Sequence, residues 1–546
     1  MKITQDHLII SLPYGRDIFK YQLNATFSKK ENGWRFPKSI YALEEVARTF
    51  PEFAQTEAYR SVQKQLSTQR EALKELKNTH TDTDTDTDTD KLRPYQRQDV
   101  NYLANIPSAG VFNQPRTGKT PTMIETIKQK KAITSLIVCP ASLQHNWMRE
   151  IEKWHPEAII NHYTAKNRLV QFGSEFAPTY NIVSKDLLKR DLAFFATPPG
   201  TYDVLVIDEA HYLRNRDTSQ AKAVKAIGTR AKHRYALTGT PTVKHPADIF
   251  GILEFLYPKK FSSYWEFINR YFFTTKNHFG TSIDRFNPDR EQELKDILDA
   301  MSTQRLRKDV MAWLPDKQRH MHTCAMSAAQ KKHYTNMLDD FMTACEDSGT
   351  EIDTQNALAQ LTRLRQITLD PALLKLNAPS AKTEALLEII ADDLYTQPGE
   401  PLIIMSMFSG YLRLLKSEIE KLGKRVAMIT GEESNAEKDN AAQAFQSGEV
   451  DILLCNIISA GTGFTLDRGE VIIFTDKAWN PSDNEQAEDR ITPTSQERMH
   501  KHFIVSLVCE GTIDEKIEAI LERKENLTAI VNQCRSIDRL RTLFYN

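Results

Sequence analysis

Short apolar runs alternate with stretches of helical periodicity in two separate parts of the chain. Within residues 92–241 the apolar runs lie at 136–139, 181–184, 203–207 and 235–237. From residue 401 the pattern returns, with runs at 402–405, 426–429, 452–455, 471–474 and 503–505. Apolar runs separated by helical stretches are typical of parallel strands that are buried on both faces of a sheet. The sequence therefore predicts an α/β fold with two doubly covered parallel sheets.

The segments around these two regions have a different character. Residues 1–78 combine short apolar runs with one amphipathic helical pattern, which predicts a small α+β module. The alternating Thr-Asp tract within 79–91 has nothing apolar to bury and predicts a disordered linker. An acidic strand that mimics nucleic acid or binds a metal is the alternative interpretation of this tract. Further boundaries are predicted for an α/β region at 92–241, a largely helical insertion at 242–380, a second α/β region at 381–525 and a helical tail at 526–546.

Composition limits the classes of function. The chain has 546 residues, enough for three or four domains, and its formal net charge is −1. Any binding of nucleic acid must therefore use local basic surface. Six scattered cysteines include no CxxC pair, which argues against a zinc site or a disulfide framework. No apolar run approaches ~18 residues, so we expect no membrane span and a cytoplasmic location, in a bacterial or phage-infected cell.

A candidate phosphate-binding loop lies near the start of the first α/β region. The sequence Gln-Pro-Arg-Thr-Gly-Lys-Thr at 114–120 lies between an apolar run at 109–113 and a helical pattern. This order of strand, tight loop and helix is the setting that such a loop requires. Backbone N–H groups just after Gly118 would face the phosphates of ATP. Lys119 would reach the β- and γ-phosphates, and the Thr120 hydroxyl would bind Mg²⁺.

A second motif, Asp-Glu-Ala-His at 208–211, follows the apolar run that ends at residue 207. A carboxylate at the carboxyl end of a strand can hold Mg²⁺, which is the role expected of Asp208. The neighbouring Glu209 would orient the attacking water. A Gly-Lys-Thr sequence alone is weak evidence, since loops contain it by chance. Two motifs that each follow a buried-type strand predict a nucleoside triphosphatase, or a descendant of one.

The ordered motifs resemble those of Swi/Snf-type ATPases of helicase superfamily 2. The resemblance begins at residue 92 and continues to about residue 524. The motifs that carry it include LRPYQ at 92–96, LTGTP at 237–241, LRKDV at 306–310, LPDK at 314–317, LRQI at 364–367, SAGTG at 459–463, QAEDR at 486–490 and GTIDEK at 511–516. The resemblance implies two RecA-like lobes with a helical insertion.

The resemblance also implies roles for individual residues. Gln96 would read the adenine edge, and Arg490 would act as an arginine finger on the γ-phosphate. The other implied nucleotide contacts are Gly118, Gly463 and Gln486. Hydroxyls and bare N–H groups bond phosphate oxygens without reading sequence. The implied contacts with the DNA backbone are Thr238, Thr240, Ser459 and Thr462. For Thr238, Thr240 and Thr462, ordinary turn chemistry is the alternative interpretation.

The chain departs from the family pattern at the candidate loop and after the arginine finger. Arg116 stands where the family usually has Gly, and Asn113 stands near a usual acidic residue. Pro493 occupies the position of a second arginine. Either Arg490 suffices, a cation such as Arg498 substitutes, or hydrolysis is slowed. We favour a working motor, because the other candidate catalytic residues are present.

Two further surfaces have open interpretations. The sequence Trp-Arg-Phe-Pro at 34–37 is similar to the HARP-like module of annealing helicases, and a small hydrophobic core is the alternative. The basic clusters at 128–131 and 305–308 could line a DNA path or form solvated helix faces. The resemblance as a whole implies an ATP- and Mg²⁺-dependent translocase on double-stranded or branched DNA, acting in annealing, fork or branch remodelling. A strand-separating DNA or RNA helicase and a non-hydrolysing ATP-gated clamp are the alternatives.

Overall fold

The chain forms two compact units, Met1–Val310 and Met311–Asn546. The computed structural model describes residues 2–3, 7–11, 25–29, 32–37, 40–78, 92–167, 178–196, 201–241, 246–277, 280–347, 354–397, 399–460, 464–493, 502–523 and 525. The predictions of a linker at 79–91 and a helical tail at 526–546 lie outside these described residues.

In the residues that the structure describes, the N-terminal module is an antiparallel sheet with three helices. Trp34 (7% exposed) and Phe36 (1% exposed) lie in the module's own hydrophobic core. These two aromatic residues therefore pack as the small-core alternative expected, and the HARP-like likeness of the module stays a prediction. The strands are β1 (Lys2–Ile3), β2 (His7–Ile10), β3 (Thr26–Ser28) and β4 (Gly33–Pro37), in the order β1-β2-β4-β3, and the helices are α1 (Ile40–Thr49), α2 (Pro51–Ala54) and α3 (Glu57–Asn78).

A seven-stranded parallel sheet forms the centre of the first unit. Its order is β13-β5-β10-β9-β6-β8-β7. The elements are α4 (Pro94–Asn105), β5 (Ser108–Val111), α5 (Lys119–Gln129), β6 (Thr134–Cys139), α6 (Gln144–Trp154), β7 (Ile159–His162), β8 (Thr179–Ser184), α7 (Lys185–Arg190), α8 (Leu192–Ala196), β9 (Tyr202–Ile207), α9 (Ser219–Gly228), β10 (Ala231–Leu237), α10 (Ile249–Leu256), α11 (Tyr264–Tyr271), β11 (Phe272–Asn277), β12 (Gly280–Phe286), α12 (Glu291–Asp299), β13 (Ser302–Thr303) and α13 (Arg307–Val310).

Successive side chains of the central strands enter two different hydrophobic cores. In β6, Leu136 and Val138 pack on one face, and Ile137 and Cys139 pack on the other. Side chains alternate across a strand, so a strand with two buried faces must be apolar throughout. The prediction of a parallel sheet covered on both faces is confirmed for this region.

The stretch 242–380 contains more strand than the sequence pattern predicted. A two-stranded hairpin, β11 with β12, lies within it, and β13 pairs with β5 at the edge of the first sheet. The compact units also divide inside this stretch, after Val310. Helices still make up most of the stretch, as predicted, and its strands were missed because strands of two residues or of exposed polar residues leave no apolar run to detect.

The second unit contains a six-stranded parallel sheet in the order β14-β19-β18-β15-β17-β16. Two successive residues of β15, Ile403 and Ile404, again enter different cores. The fold class is thereby confirmed for both units. The elements are β14 (Gln318–Cys324), α14 (Ala328–Asp347), α15 (Thr354–Leu369), α16 (Ala381–Ala391), β15 (Leu402–Ser406), α17 (Ser409–Lys421), β16 (Val426–Ile429), α18 (Asn435–Ser447), β17 (Ile452–Asn456), α19 (Ile457–Ala460), β18 (Val471–Phe474), α20 (Pro481–Glu488), β19 (Phe503–Cys509) and α21 (Ile513–Glu522).

Helix starts follow local chemistry. The Ser434 hydroxyl accepts a hydrogen bond from Glu437 N (3.3 Å) at the start of α18, and the Glu437 carboxylate accepts one from Ser434 N (2.8 Å). This reciprocal pair satisfies two backbone donors that the helix itself cannot. Among the described helices, none combines the length and the apolar composition needed to cross a membrane.

Partly buried ion pairs join the N-terminal module to α11 and to the start and middle of α12. Glu45 of α1 accepts hydrogen bonds from Arg270 (3.3 Å) and Arg290 (2.9 Å). Arg270 also holds both carboxylate oxygens of Glu293, at 2.9 and 2.8 Å. On the same side of α12, Tyr41 and Arg70 both contact Asp296. The module is therefore fixed to the rest of the first unit by charge pairs.

Replacing Arg270 by Met should strongly destabilise the first unit, because the buried Glu293 carboxyl group would lose its main cation. Arg270 is 3% exposed and Glu293 is 2% exposed. Removing one partner of a buried ion pair typically costs about 3–5 kcal/mol. The measurement is the free energy of unfolding in urea.

Lys232→Met is the matched control. Lys232 pairs with Asp203 at 2.7 Å on the surface, where such a pair is worth about 0–1 kcal/mol. Equal losses of stability in the two variants would show that the ion pairs of Arg270 do not stabilise the first unit more than a surface pair does.

Candidate nucleotide-binding site

The loop between β5 and α5 has the backbone shape of a phosphate-binding loop. Gly118 caps α5 with φ 77°, in the left-handed region that favours glycine. A Cβ atom at this position would lie 2.0 Å from Nε2 of Gln96. Arg116, where the resemblance expects Gly, has φ 69°. The fold therefore keeps the glycine-type conformation at residue 116 with an arginine in place.

Helix α4 holds the loop from one side. Gln96 is 7% exposed, and its Nε2 donates to the carbonyl of Thr117 (3.3 Å) while its Oε1 accepts from Arg93 N (2.8 Å). The Tyr95 hydroxyl donates to the same Thr117 carbonyl at 3.0 Å. The structure thus gives Gln96 a positioning contact with the loop, while its reading of adenine stays a prediction.

Lys119 and Thr120 open helix α5 directly after the loop. The Lys119 ammonium donates to the carbonyls of Asn113 (2.9 Å) and Gln114 (3.4 Å), so it lies across the loop itself. Thr120 is half-buried beside it. A helix start that presents N–H groups and an ammonium is suited to bind phosphate oxygens.

Asp208 ends β9 as a buried carboxylate. Its Oδ2 accepts from Trp147 Nε1 (2.8 Å), and its Oδ1 accepts from Glu209 N (2.9 Å). Burial raises the pKa of Asp208 to about 6, and the charge of Glu209 adds to this. The Trp147 hydrogen bond and the charge of Lys119 act in the opposite direction. A divalent cation would favour the ionised form, so this carboxylate fits the predicted role of a Mg²⁺ ligand.

Glu209 is connected to the end of the neighbouring strand through His211. Its φ of 50° is unusual for a residue other than glycine, and its carboxylate lies 3.2 Å from His211 Nδ1. His211 Nδ1 lies 3.5 Å from the Thr238 hydroxyl, which accepts from Thr240 N (3.1 Å). Thr238 follows β10, which lies between β5 and β9 in the sheet. The two predicted motifs at 208–211 and 237–241 are therefore in contact.

Burial revises one of the predicted DNA contacts. The Thr238 side chain is fully buried, and its hydroxyl bonds to residues of the chain itself. Direct contact of this side chain with DNA is therefore not supported, and the turn interpretation fits it better. Thr240 is half-buried and stays a predicted contact.

A bracing network under the loop was missed by sequence reasoning. Asp99 of α4 accepts from Asn113 (2.7 Å) and from two nitrogens of Arg305 (2.9 and 2.7 Å). The carbonyl of Arg305 accepts from Gln114 N (3.0 Å), and the Gln114 side chain accepts from Arg307 N (2.7 Å). The Arg305 guanidinium therefore supports the loop, which differs from the DNA path or solvated face considered for 305–308. No local pattern could show this, because the partners are distant in sequence.

The second unit positions the remaining candidate residues. Arg490 lies in a short 3₁₀ helix, Asp489–Ile491, and its Nη1 donates to the Phe464 carbonyl at 3.4 Å. Gln486 lies half-buried in α20, and Ser459 lies half-buried in α19. The predictions for Thr462 and Gly463 lie outside the described residues. These roles in the second unit stay predictions.

The residues present fit ATP with Mg²⁺. Mg²⁺ in nucleotide sites usually takes one or two protein oxygens together with phosphates and water. Asp208 and Thr120 supply such oxygens, and glycine at 118 avoids the clash that a Cβ atom would make with Gln96, which holds the loop. The carboxyl ends of β5 and β9 lie at one edge of the same parallel sheet, where ligands of open α/β sheets bind.

Gly118→Ala should weaken nucleotide binding, because the new methyl group would displace the Gln96 side chain that holds the loop. Gly399→Ala is the matched control. Gly399 also has a left-handed φ, 85°, but a Cβ there meets no described atom within 4 Å. Backbone strain of about 1–2 kcal/mol is common to both variants.

The measurements are the unfolding temperature and the affinity for a fluorescent ATP analogue. Both variants should lose some stability, and only Gly118→Ala should lose affinity, by about tenfold or more. Equal affinity in the two variants would contradict the assignment of this loop to the nucleotide.

Comparison with known proteins places the chain in a family. The model of the SNF2-related domain matches residues 69–373, and the model of the helicase conserved C-terminal domain matches residues 381–492. A solved structure of the Sulfolobus solfataricus SWI2/SNF2 ATPase core in complex with dsDNA is 26% identical, with a TM-score of 0.38, and covers 83% of this chain and 97% of that one.

Two curated relatives show how much of a longer protein this chain resembles. The putative ATP-dependent helicase/translocase YwqA of Bacillus subtilis (strain 168) is 28% identical over 466 residues, which are 80% of this chain and 48% of the relative. The DNA annealing helicase and endonuclease ZRANB3 of Bos taurus is 26% identical over 451 residues, 80% of this chain and 40% of the relative. The chain thus spans about half or less of the length of these relatives. Because the SNF2-related domain model matches more than half of its 546 residues, the chain belongs to the family of SNF2-related proteins.

Proposed function

We propose that this chain is a DNA-dependent ATPase that moves along double-stranded or branched DNA. The observation that carries the proposal is the contact between the catalytic-type motif at 208–211 and the motif at 237–241, beside a braced phosphate-binding loop. A nucleotide site alone would fit many proteins. A nucleotide site in direct contact with a loop predicted to face DNA fits a motor, in a family whose relatives include a named helicase/translocase.

The first unit would bind and hydrolyse ATP. Lys119 and the N–H groups at the start of α5 would hold the phosphates, and Asp208 with Thr120 would hold Mg²⁺. Mg²⁺ supplies neutralisation of the charge on the phosphate oxygens. Glu209 would accept a hydrogen bond from the attacking water, orient it and take up its proton as a general base. Its left-handed backbone places the carboxylate toward His211 while its N–H remains on Asp208.

The contact through His211 supports coupling between hydrolysis and DNA. A change in charge or position at Glu209 reaches Thr238 through a single imidazole, at 3.2 and 3.5 Å. Thr238 in turn fixes the backbone of Thr240 through a 3.1 Å hydrogen bond. We assign to this connection the transmission of the nucleotide state to the turn after β10.

The second unit would complete catalysis and hold DNA. Arg490 would stabilise negative charge that develops on the γ-phosphate, with Gln486 and Gly463 as further nucleotide contacts. Ser459, Thr462 and, from the first unit, Thr240 would contact the phosphate backbone. Annealing, fork or branch remodelling is the process we assign, because one relative carries the name of an annealing helicase.

Glu209→Gln should abolish ATP turnover while the variant still binds ATP, because the amide cannot take up the proton of the attacking water. A loss of about 100-fold or more is expected for a general base. Steady-state hydrolysis would be measured without nucleic acid and with single strands, duplex DNA, forked DNA and RNA. Stimulation by duplex or forked DNA is the expected result.

Glu291→Gln is the control, since Glu291 is 54% exposed and pairs only with Lys295 one helical turn away among the described ion pairs. Stimulation by single strands or RNA alone would instead favour the strand-separating helicase. A third outcome would favour the ATP-gated clamp. In that case the unaltered chain binds ATP but does not hydrolyse it with any nucleic acid, and Lys119→Ala abolishes the binding.

A further inference from the structure

Two buried carboxylates directly precede Arg490 in the sequence. Glu488 is 2% exposed and Asp489 is 3% exposed. They lie at the end of α20 and the start of the 3₁₀ helix that contains Arg490. We refer to residues 481–491 as the finger segment. Buried carboxylates are costly unless cations or donors compensate them, so their partners determine how this segment is held.

Two cations at the start of β14 bind these carboxylates. Lys317 Nζ lies 3.0 Å from Glu488 Oε2 and 2.9 Å from Asp489 Oδ1. Arg319 donates to both oxygens of Glu488, at 2.6 and 2.7 Å. Residues two apart on an extended strand point to the same side, which explains why both cations reach one carboxylate. Burial acts to raise the pKa of Glu488, but the Arg319 hydrogen bond and the Lys317 charge lower it overall.

The strand that supplies these cations is firmly placed. β14 pairs with β19 in parallel register from Gln318 with Phe503 to Cys324 with Cys509. Lys317 immediately precedes the first of these pairs, and Gln318 N donates to the His502 carbonyl at 2.8 Å. The backbone next to Lys317 is thus held at the edge of the sheet, and the Lys317 side chain extends from there to the finger segment.

The two cations do not have the same geometry. Lys317 is the cation that bridges both carboxylates, and its side chain is 18% exposed. Among the described ion pairs, Arg319 binds Glu488 but not Asp489, and its side chain is 55% exposed. The carboxylates of Glu488 and Asp489 would attract the neighbouring Arg490 guanidinium at short range. This attraction is weaker when Lys317 already binds both carboxylates. Lys317 therefore both ties the finger segment to the sheet and competes with Arg490 for its neighbouring acids.

We propose that Lys317 is a positioning residue for Arg490: it clamps Glu488 and Asp489 against the edge of the second sheet and so fixes the orientation from which Arg490 acts. This inference rests on the proposed function for its kinetic consequence. Its structural consequence, a held finger segment, does not depend on turnover.

The first test compares steady-state kinetics of Lys317→Met and Lys317→Arg with saturating duplex DNA. Lys317→Met should lower kcat about tenfold, with KM for ATP changed less than about threefold, because an interaction made only in the transition state is impaired. Lys317→Arg should recover most of kcat. In an Arg490→Ala background, Lys317→Met should cause no further loss, since residues that act as a unit are not additive.

Lys421→Met is the matched control. Lys421 pairs with Glu418 at 2.7 Å in the same unit but is 68% exposed. It should leave kcat unchanged. A loss of kcat in Lys317→Met that is equally large in the Arg490→Ala background, or an unchanged kcat in folded Lys317→Met, would overturn the proposal.

The second test is amide hydrogen exchange, which needs no turnover. Lys317→Met should accelerate exchange within residues 481–491, and Lys317→Arg should restore protection. If the unaltered chain does not hydrolyse ATP, the proposed function fails, and the exchange result still decides whether Lys317 holds the segment. Asp489→Asn serves if Lys317→Met does not fold, because it replaces one of the two ion pairs by a weaker neutral contact and leaves Lys317 paired with Glu488. Unchanged exchange in a folded variant would refute the clamp.

Discussion

The first unit depends on the burial of one carboxylate. Asp208 lies at the end of a strand whose two faces are covered, so its charge must be compensated within the protein. Trp147 and the backbone of Glu209 supply one hydrogen bond to each oxygen, and the Lys119 charge acts on the same group. These interactions leave the pKa of Asp208 raised. The carboxylate is therefore under-compensated by the chain, which is the condition in which a bound cation contributes most.

The loop opposite this carboxylate is shaped by parts of the chain far from it in sequence. Arg305 joins Asp99 of α4, and Asp99 in turn holds Asn113 at the start of the loop. Just before Arg305 the chain forms β13, which pairs with β5. Lys77 at the end of α3 donates a hydrogen bond to the Ser302 carbonyl of this strand at 2.8 Å. A continuous series of contacts thus runs from the N-terminal module to the candidate nucleotide loop. Asn113 belongs to this series of contacts. Where the family usually has an acidic residue nearby, the Asn113 amide donates a hydrogen bond to Asp99.

Sequence reasoning recovered the features that local pattern determines. Apolar runs such as 204–207 identified the buried strands, and the Gly-Lys-Thr and Asp-Glu-Ala-His motifs identified the loop and the strand end that the sheet brings to one edge. It missed β13, whose two residues contain no periodicity, and the Asp99–Arg305 brace, which depends on tertiary contact. It also gave Thr238 a ligand role that full burial does not support. A motif shows that a residue matters, whereas burial decides whether its side chain touches a ligand or another part of the protein.

Backbone strain marks the same site from a different direction. Six described residues other than glycine have positive φ, and two of them, Arg116 (69°) and Glu209 (50°), belong to this site. Such conformations cost of order 1–3 kcal/mol and persist only where the surroundings fix them. For Glu209 the reason is visible: its N–H must bond to Asp208 while its carboxylate lies beside His211. For Arg116 the braces on either side of the loop, from Gln96 and from residues 305–307, impose the glycine-type backbone that the arginine then adopts. The loop conformation is thus a property of its supports, which explains how the chain can lack the usual glycine and keep the fold of the site.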